Sequence, residues 1–334
     1  MLSDIVPISL TKAVLLGLLQ GLTEFLPISS TAHMDVIPQL FHEPDPGAAF
    51  SAIVQLGPIL AIIAYFRKDL ARYITGMIRT FSPRGNAPGD ADARSDMDAK
   101  IGWFTLFGSI PLMIFGKLLE KRIDHDFRRL EVVAASMIVL AFLLLVAERV
   151  GRRRKSLEDM TIGDSQAIGW AQVLALVPGA SRSGVTITAG LFQGLNRESA
   201  ARFSFLLSIP AITAAGLYKI AKIVLAARRD HTTHLLTQNL GPYLIGALVA
   251  GLFAYVIIRW FLGYMKEHST LGFILYRVAF GVALLLLLAT GTIKNRPPVD
   301  ESTAPAAAVS APTAYAPLAP FPSHIILAAR QGSK

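Results

Sequence analysis

The stretch QGLTEFLPISSTAHMDV, from Gln20 to Val36, places a carboxylate, three consecutive hydroxyls and an imidazole directly after an apolar run. Gln20 and Glu24 lie four positions apart, so on a helix they share one face and can address one ligand. Glu24 has the chemistry of a cation ligand or a base. Gln20, being neutral, is the weaker ligand, and helix packing explains it nearly as well. Ser29, Ser30 and Thr31 follow Pro27 and precede His33. A serine hydroxyl attacks at neutral pH only with a base beside it, and imidazole is the usual one. The alternative for each hydroxyl is a helix N-cap after the proline break. Capping leaves His33 unexplained, and its own alternative is a hydrogen-bonded interior histidine.

A second stretch, VPGASRSGVTITAG from Val177 to Gly190, sets Arg182 among Ser181, Ser183 and Gly184, with Thr186 beyond. Glycines let the backbone approach an anion, a helix starting near Ser183 aims free N–H groups at it, and a guanidinium grips two phosphate oxygens at once. The stretch therefore reads as a phosphate cradle; the alternative is an arginine snorkelling to headgroups. Together the two stretches suggest phosphoryl chemistry on a substrate whose other part is a lipid.

The elements that must carry these residues are membrane helices. Of the 334 residues, 53% are hydrophobic and only 16% charged, and the mean hydropathy is +0.50, too apolar for a soluble domain. The net charge of +9 falls in short loops between apolar runs, which points to orientation in a bilayer and away from nucleic acid. With no cysteine there is no disulfide, thiolate metal site or thiol nucleophile. The N-terminus lacks a basic region and a small-residue cleavage site, so no removable signal peptide is expected.

Six stretches, near 49–66, 101–119, 132–149, 203–226, 240–262 and 271–291, are long and apolar enough to span about 30 Å of hydrocarbon. Two more, around 10–41 and 166–195, are interrupted at LPISSTAH and VPGASRSG. Broken backbone at membrane depth is tolerated only inside protein or beside a wet cavity. AFSAIVQLGP is echoed by RFSFLLSIP, each ending in a proline some thirty residues after the proline of its break. The echo reads as an internal repeat, one copy near 10–119 and the other near 166–262, with a site at the repeat interface. The expected fold is an all-α polytopic membrane protein of about six spans plus two broken re-entrant segments in inverted-topology repeats, over residues 1–291. Residues 83–99 read as a solvated loop, and 292–334 as a disordered Pro/Ala-rich tail. Lys and Arg crowd residues 67–100 and 149–155, which should face the cytoplasm, leaving both termini outside. The opposing loop at 117–131 is also basic.

GLTEFLPISSTAH, QLGPILA, PGASRSGVTITAG and FSFLLSIPA closely resemble the signature boxes of the bacterial undecaprenyl-diphosphate phosphatases, also called bacitracin-resistance proteins. The resemblance runs in order from about residue 10 to 290. It implies an inner-membrane hydrolase that converts a C55 isoprenoid diphosphate to the monophosphate carrier lipid of peptidoglycan synthesis, with the site open to the periplasmic or outer side. It further implies a divalent cation, magnesium or calcium, and as partners the lipid diphosphate, the membrane and, as an option, a second copy in a homodimer. Carried over by position, Glu24 is the catalytic or metal-binding carboxylate with Gln20 beside it, Ser30 the candidate nucleophile, His33 the acid/base and Arg182 the diphosphate clamp. Ser29, Thr31, Ser181, Ser183 and Thr186 are expected to line the pocket. Ala32, Pro58 and Asp35 depart from the family's usual residues, and Asp35 bears on metal preference and pH dependence.

Two mechanisms are open. Ser30 attacks phosphorus with His33 relaying protons, the route favoured by placing both on adjacent turns of one helix, or a water activated by Glu24 or the metal attacks directly. In both, Arg182 and the cation stabilise the transferred phosphoryl group. The competing class is a transporter, which shares broken helices and inverted repeats but needs no nucleophile. A two-histidine acid phosphatase fits less well, because His33 is the only histidine in either box.

Overall fold

A computed structural model of the chain describes residues 5–81, 90–119, 127 and 129–295. Eleven α-helices are present among them: α1 (Leu10–Thr23), α2 (Ser30–Leu40), α3 (Gly47–Val54), α4 (Leu56–Arg79), α5 (Asp90–Leu118), α6 (Leu130–Val150), α7 (Ile162–Ala171), α8 (Arg182–Phe192), α9 (Arg197–Arg229), α10 (Thr233–Glu267) and α11 (Leu271–Ala289), with a 3-10 turn over Gln172–Leu176. Six segments meet the length and hydropathy of a bilayer crossing: α3 and α4 taken as one, α5, α6, α9, α10 and α11. Each covers one of the six expected stretches. Leu244, Leu248, Leu252 and Val256 recur every fourth residue along α10 and stay exposed, the pattern of a face turned to lipid.

In lipid the hydrophobic effect does not drive helices together, so close backbone approach has to. Gly17 and Gly21 on α1 provide it. A Cβ on Gly17 would lie 2.3 Å from the Gly246 carbonyl oxygen of α10, and one on Gly21 would lie 2.4 Å from that of Ala250. A Cβ on Gly57 of α4 would meet the Ala247 oxygen at 2.1 Å. α10 is thus the strut against which the first broken segment and α4 both lie. A second seam is aromatic, with Phe25 edge-on to Phe205 at 5.1 Å and Phe205 against Phe261 at 5.8 Å.

Both interrupted stretches are broken where expected. α1 stops at Thr23 and α2 restarts at Ser30; α7 passes into the 3-10 turn and α8 starts at Arg182. Ser29 and Ser181 are the N-caps, each accepting a hydrogen bond on its Oγ from the backbone N–H three residues on. They have φ of 73° and 64°, a left-handed conformation that costs a non-glycine residue of order 1 kcal/mol. The same strained cap thus starts the second helix of both interrupted stretches.

Two expectations are corrected. The anticipated loop 83–99 is helical from Asp90 onward, since α5 begins there. Its Gly/Pro punctuation ends at Gly89, and the residues that follow up to Lys100 contain neither, so the helix extends past the apolar span and brings Asp98 within 3.3 Å of Arg72. Residues 82–89 lie outside the described set. The anticipated tail starts too early as well: Ile293 is buried, and Asn295 Oδ1 accepts the N–H of Leu130 at 2.7 Å, capping α6. Residues 296–334 are outside the described set.

Candidate active site

The site forms where the ends of the two broken segments touch. Ser183 Oγ donates to the Leu26 carbonyl oxygen at 2.9 Å, and Ser181 Oγ reaches the same oxygen at 3.5 Å. These bonds pin the start of α8 to the turn between α1 and α2. Across the seam, Arg182 Nη2 donates to Glu24 Oε1 at 3.2 Å. Their side chains are 14% and 9% exposed, so this ion pair is largely removed from solvent. Arg182 Nη1 is buried and without a partner.

Glu24 is the hub. Its Oε2 accepts from Gln20 Nε2 at 2.9 Å and from Ser30 Oγ at 2.7 Å. Gln20 is one turn back on α1, as the four-residue spacing predicts, and also donates to Gln55 Oε1 at 2.7 Å. Gln55 sits at the junction of α3 and α4 and was not anticipated. Its signal was present in QLGP, a polar residue two positions before a Gly-Pro inside an apolar run.

Both helices that start at the seam direct their N-termini into it. Ser29 Oγ takes the Ala32 N–H and Ser181 Oγ the Gly184 N–H. No hydrogen bond engages the N–H groups of Ser30, Thr31, Arg182 or Ser183 among the described residues. Such groups, together with the positive end of the helix dipole, favour an anion.

His33 is elsewhere in the network. It is 2% exposed; Nδ1 lies 2.7 Å from the Ser29 carbonyl oxygen and Nε2 lies 2.6 Å from the Tyr276 hydroxyl. A carbonyl only accepts, so Nδ1 carries the proton, and in neutral imidazole Nε2 accepts from Tyr276. The ring also stacks on Phe280, centroids 4.5 Å apart. Ser30 thus has a carboxylate as its neighbouring base, not the imidazole, because the two side chains leave α2 toward different neighbours: Ser30 back to α1, His33 to α11. Tyr276 was missed because it lies in the apolar run of α11.

The remaining anticipated residues separate by role. Ser29, Ser181 and Ser183 hold the seam. Thr186 is fully buried and bonds Ser204 Oγ at 2.6 Å, bracing α8 on α9 instead of lining a pocket. Thr31 is exposed. Glu198 and Arg202, four positions apart on α9, take partners from other helices: Glu198 pairs with Lys266 and Arg202 with Asp69.

The cation implied by the resemblance has a donor set to be tested against. Among the described residues no three His, Cys, Asp or Glu gather into a cage. One carboxylate, the amide oxygen of Gln55 and the Ser30 hydroxyl are the oxygens that converge, with Gln20 Nε2 donating to the first two. All are hard oxygen donors, which fits magnesium or calcium held by a single carboxylate and completed by substrate phosphate oxygens.

The chain is similar to known proteins along most of its length. The family described as "Bacitracin resistance protein BacA" matches residues 13–283. An undecaprenyl-diphosphatase of Myxococcus xanthus is 44% identical over 297 residues, covering 89% of this chain and 95% of its own length. Those of Pelodictyon phaeoclathratiforme and Synechococcus elongatus are each 44% identical over 86% of this chain, covering 99% and 96% of theirs. With the match running from within α1 through both breaks and into α11, the chain belongs to the bacitracin resistance protein BacA family.

Proposed function

We infer that the protein is a membrane hydrolase that removes the terminal phosphate of undecaprenyl diphosphate, yielding the monophosphate carrier lipid for peptidoglycan synthesis and conferring bacitracin resistance. The carrying observation is the convergence of Ser30, Glu24 and Arg182 at the start of two helices, within a chain related along most of its length to undecaprenyl-diphosphatases.

In the proposed reaction the terminal phosphoryl group lies against the free N–H groups of α2 and α8. Arg182 exchanges its bond to Glu24 for the phosphate oxygens. Ser30 Oγ attacks the terminal phosphorus as Glu24 Oε2 takes its proton, and the bond to the bridging oxygen breaks, releasing the lipid monophosphate. Water then cleaves the phosphoserine, giving inorganic phosphate and restoring the hydroxyl. Glu24 hands the first proton to the departing lipid monophosphate, which frees it to take one from the attacking water and return it to Ser30 Oγ; His33, held by Ser29 and Tyr276, fixes the first turn of α2 and the position of Ser30. A divalent cation held by Glu24 and Gln55 would supply charge neutralisation on the diphosphate. Arg182 and the helix N-termini supply the rest from the protein, already oriented before reaction.

We further propose that the two broken segments are re-entrant and enter from opposite faces, that residues 1–291 form the membrane domain, and that the site opens to the outer side of the inner membrane. The basic residues flanking α4, α5 and α6 support that orientation. The test is phosphate release from undecaprenyl diphosphate by the purified protein in detergent, with and without a chelator. Chelator-sensitive release is expected. Binding of the lipid without release would favour a transporter instead.

A further inference from the structure

Arg277 on α11 is fully buried and has no carboxylate partner among the described residues. Its Nε donates to the Met137 carbonyl oxygen at 3.2 Å, and its Nη2 donates to those of Gly179 and Ala180 at 3.3 and 2.9 Å. Nη1 is buried without a partner. An arginine within a membrane span that is neutralised only by carbonyl dipoles is costly, and packing alone would be served better by an apolar side chain.

What it grips is the turn that precedes Arg182. The Ala180 carbonyl shares its peptide plane with the Ser181 N–H, so holding that oxygen fixes the plane on which the left-handed Ser181 turns. Gly179, at φ 88°, is wedged from the other side: a Cβ there would lie 2.3 Å from Ser136 Oγ. The preceding residue of α11, Tyr276, holds His33 at 2.6 Å. Two consecutive residues of one helix therefore fasten both breaks. A planar guanidinium can span three carbonyls where an ammonium offers a single point charge.

We infer that Arg277 is a positioning residue for phosphoryl transfer: it holds the Gly179–Ser181 turn in the strained form that aims Arg182 across the seam at Glu24 and the substrate. The inference rests on the phosphatase reading for its activity readout and on diphosphate binding for its independent one.

The test is a double-mutant cycle in the full chain in detergent, with Arg277→Met, Arg182→Ala and the pair, each checked for a cooperative thermal melt. Arg277→Met should lower kcat by about 100-fold, the cost of misplacing a group by about an ångström. In the Arg182→Ala background it should cost less than about twofold more, since the group it positions is gone. Arg277→Lys should recover part of the loss. Near wild-type activity of Arg277→Met, or the full loss repeated in the Arg182→Ala background, would overturn the inference.

Should Arg277→Met fail to fold, Gly184→Ala takes its place in the cycle, because its methyl would meet Arg277 Nη1 at 2.5 Å while the arginine remains. The same cycle is read in parallel as the dissociation constant for inorganic diphosphate by calorimetry. If the wild type binds diphosphate but releases no phosphate from the lipid, the phosphatase reading falls and the binding cycle alone decides: non-additive losses support positioning, additive ones overturn it. A wild type that neither hydrolyses nor binds overturns both.

Discussion

Ser30 donates its hydroxyl to Glu24 Oε2 at 2.7 Å, across the gap between two helices, while the imidazole of His33 on the same helix is bonded to Ser29 and Tyr276. The group that accepts the serine's hydrogen bond is thus a carboxylate from the preceding helix. Arg182, from the other half of the chain, completes the contact on Oε1.

In the proposed reaction this separates His33 from the proton transfer. Removing a positioned general base costs about 10²–10⁴-fold, so Glu24→Gln should lower kcat by about a thousandfold or more. His33→Gln and Tyr276→Phe should each cost at most about a hundredfold, by loosening the first turn of α2. Steady-state phosphate release separates the two classes. Equal losses for Glu24→Gln and His33→Gln would return the base role to the imidazole.

Arg182 faces Glu24, and in the proposed reaction it exchanges that partner for phosphate oxygens. Arg182→Lys keeps the charge but not the two-pronged grip, and should retain only about 1–10% of wild-type kcat/KM, a loss of about 1.4–2.7 kcal/mol of transition-state binding. Full activity in the lysine variant would mean that the guanidinium does not hold the phosphoryl group.

Glu148 makes a second buried cluster that the proposed chemistry does not use. Its Oε1 accepts from Arg153 and Arg197 and its Oε2 from Thr270 at 2.9 Å, tying the end of α6 to the starts of α9 and α11. Glu148→Ala leaves guanidinium groups without a partner and should cost about 3–5 kcal/mol of stability. The expected result is a lower melting temperature, with near-normal activity per folded molecule. A loss of activity with an unchanged melt would assign the cluster a part in catalysis.

Close packing on α10 is open to the same measurement. A methyl on Gly17 would sit 2.3 Å from the Gly246 oxygen, whereas one on Gly241 meets nothing within 4 Å. Gly17→Ala should destabilise by about 1–3 kcal/mol, and Gly241→Ala should be neutral or stabilising by up to about 1 kcal/mol. Matching melts for the two variants would remove the α1–α10 seam as a determinant of the fold.

The spans were legible because length and hydropathy alone define a bilayer crossing, and the two breaks because Pro, Gly and Ser interrupt otherwise apolar runs. Glu24, Ser30 and Arg182 could be picked out since polar groups inside such runs are costly. What stayed hidden depends on tertiary direction. The spacing of Ser30 and His33 on one helix suggested a pair, but spacing says nothing of which neighbour each side chain meets. Tyr276 and Arg277 lie in a helix whose apolar surroundings gave them no companions in sequence, and Gln55 lies between two apolar helices with only the QLGP signal beside it; their partners are residues of other helices. Likewise Thr186 looked like a pocket residue beside Arg182, and only the packing of α8 on α9 turns it to Ser204.

The most direct test is a cycle on Ser30 and Glu24, with phosphate release from undecaprenyl diphosphate measured for the wild type, Ser30→Ala, Glu24→Gln and the double variant. A nucleophile and its base act as one unit, so each single change should lower kcat by about a thousandfold or more and the double change should add little. Ser30→Ala retaining activity within about tenfold of the wild type would contradict the account, and would move the attack from the serine to a water molecule.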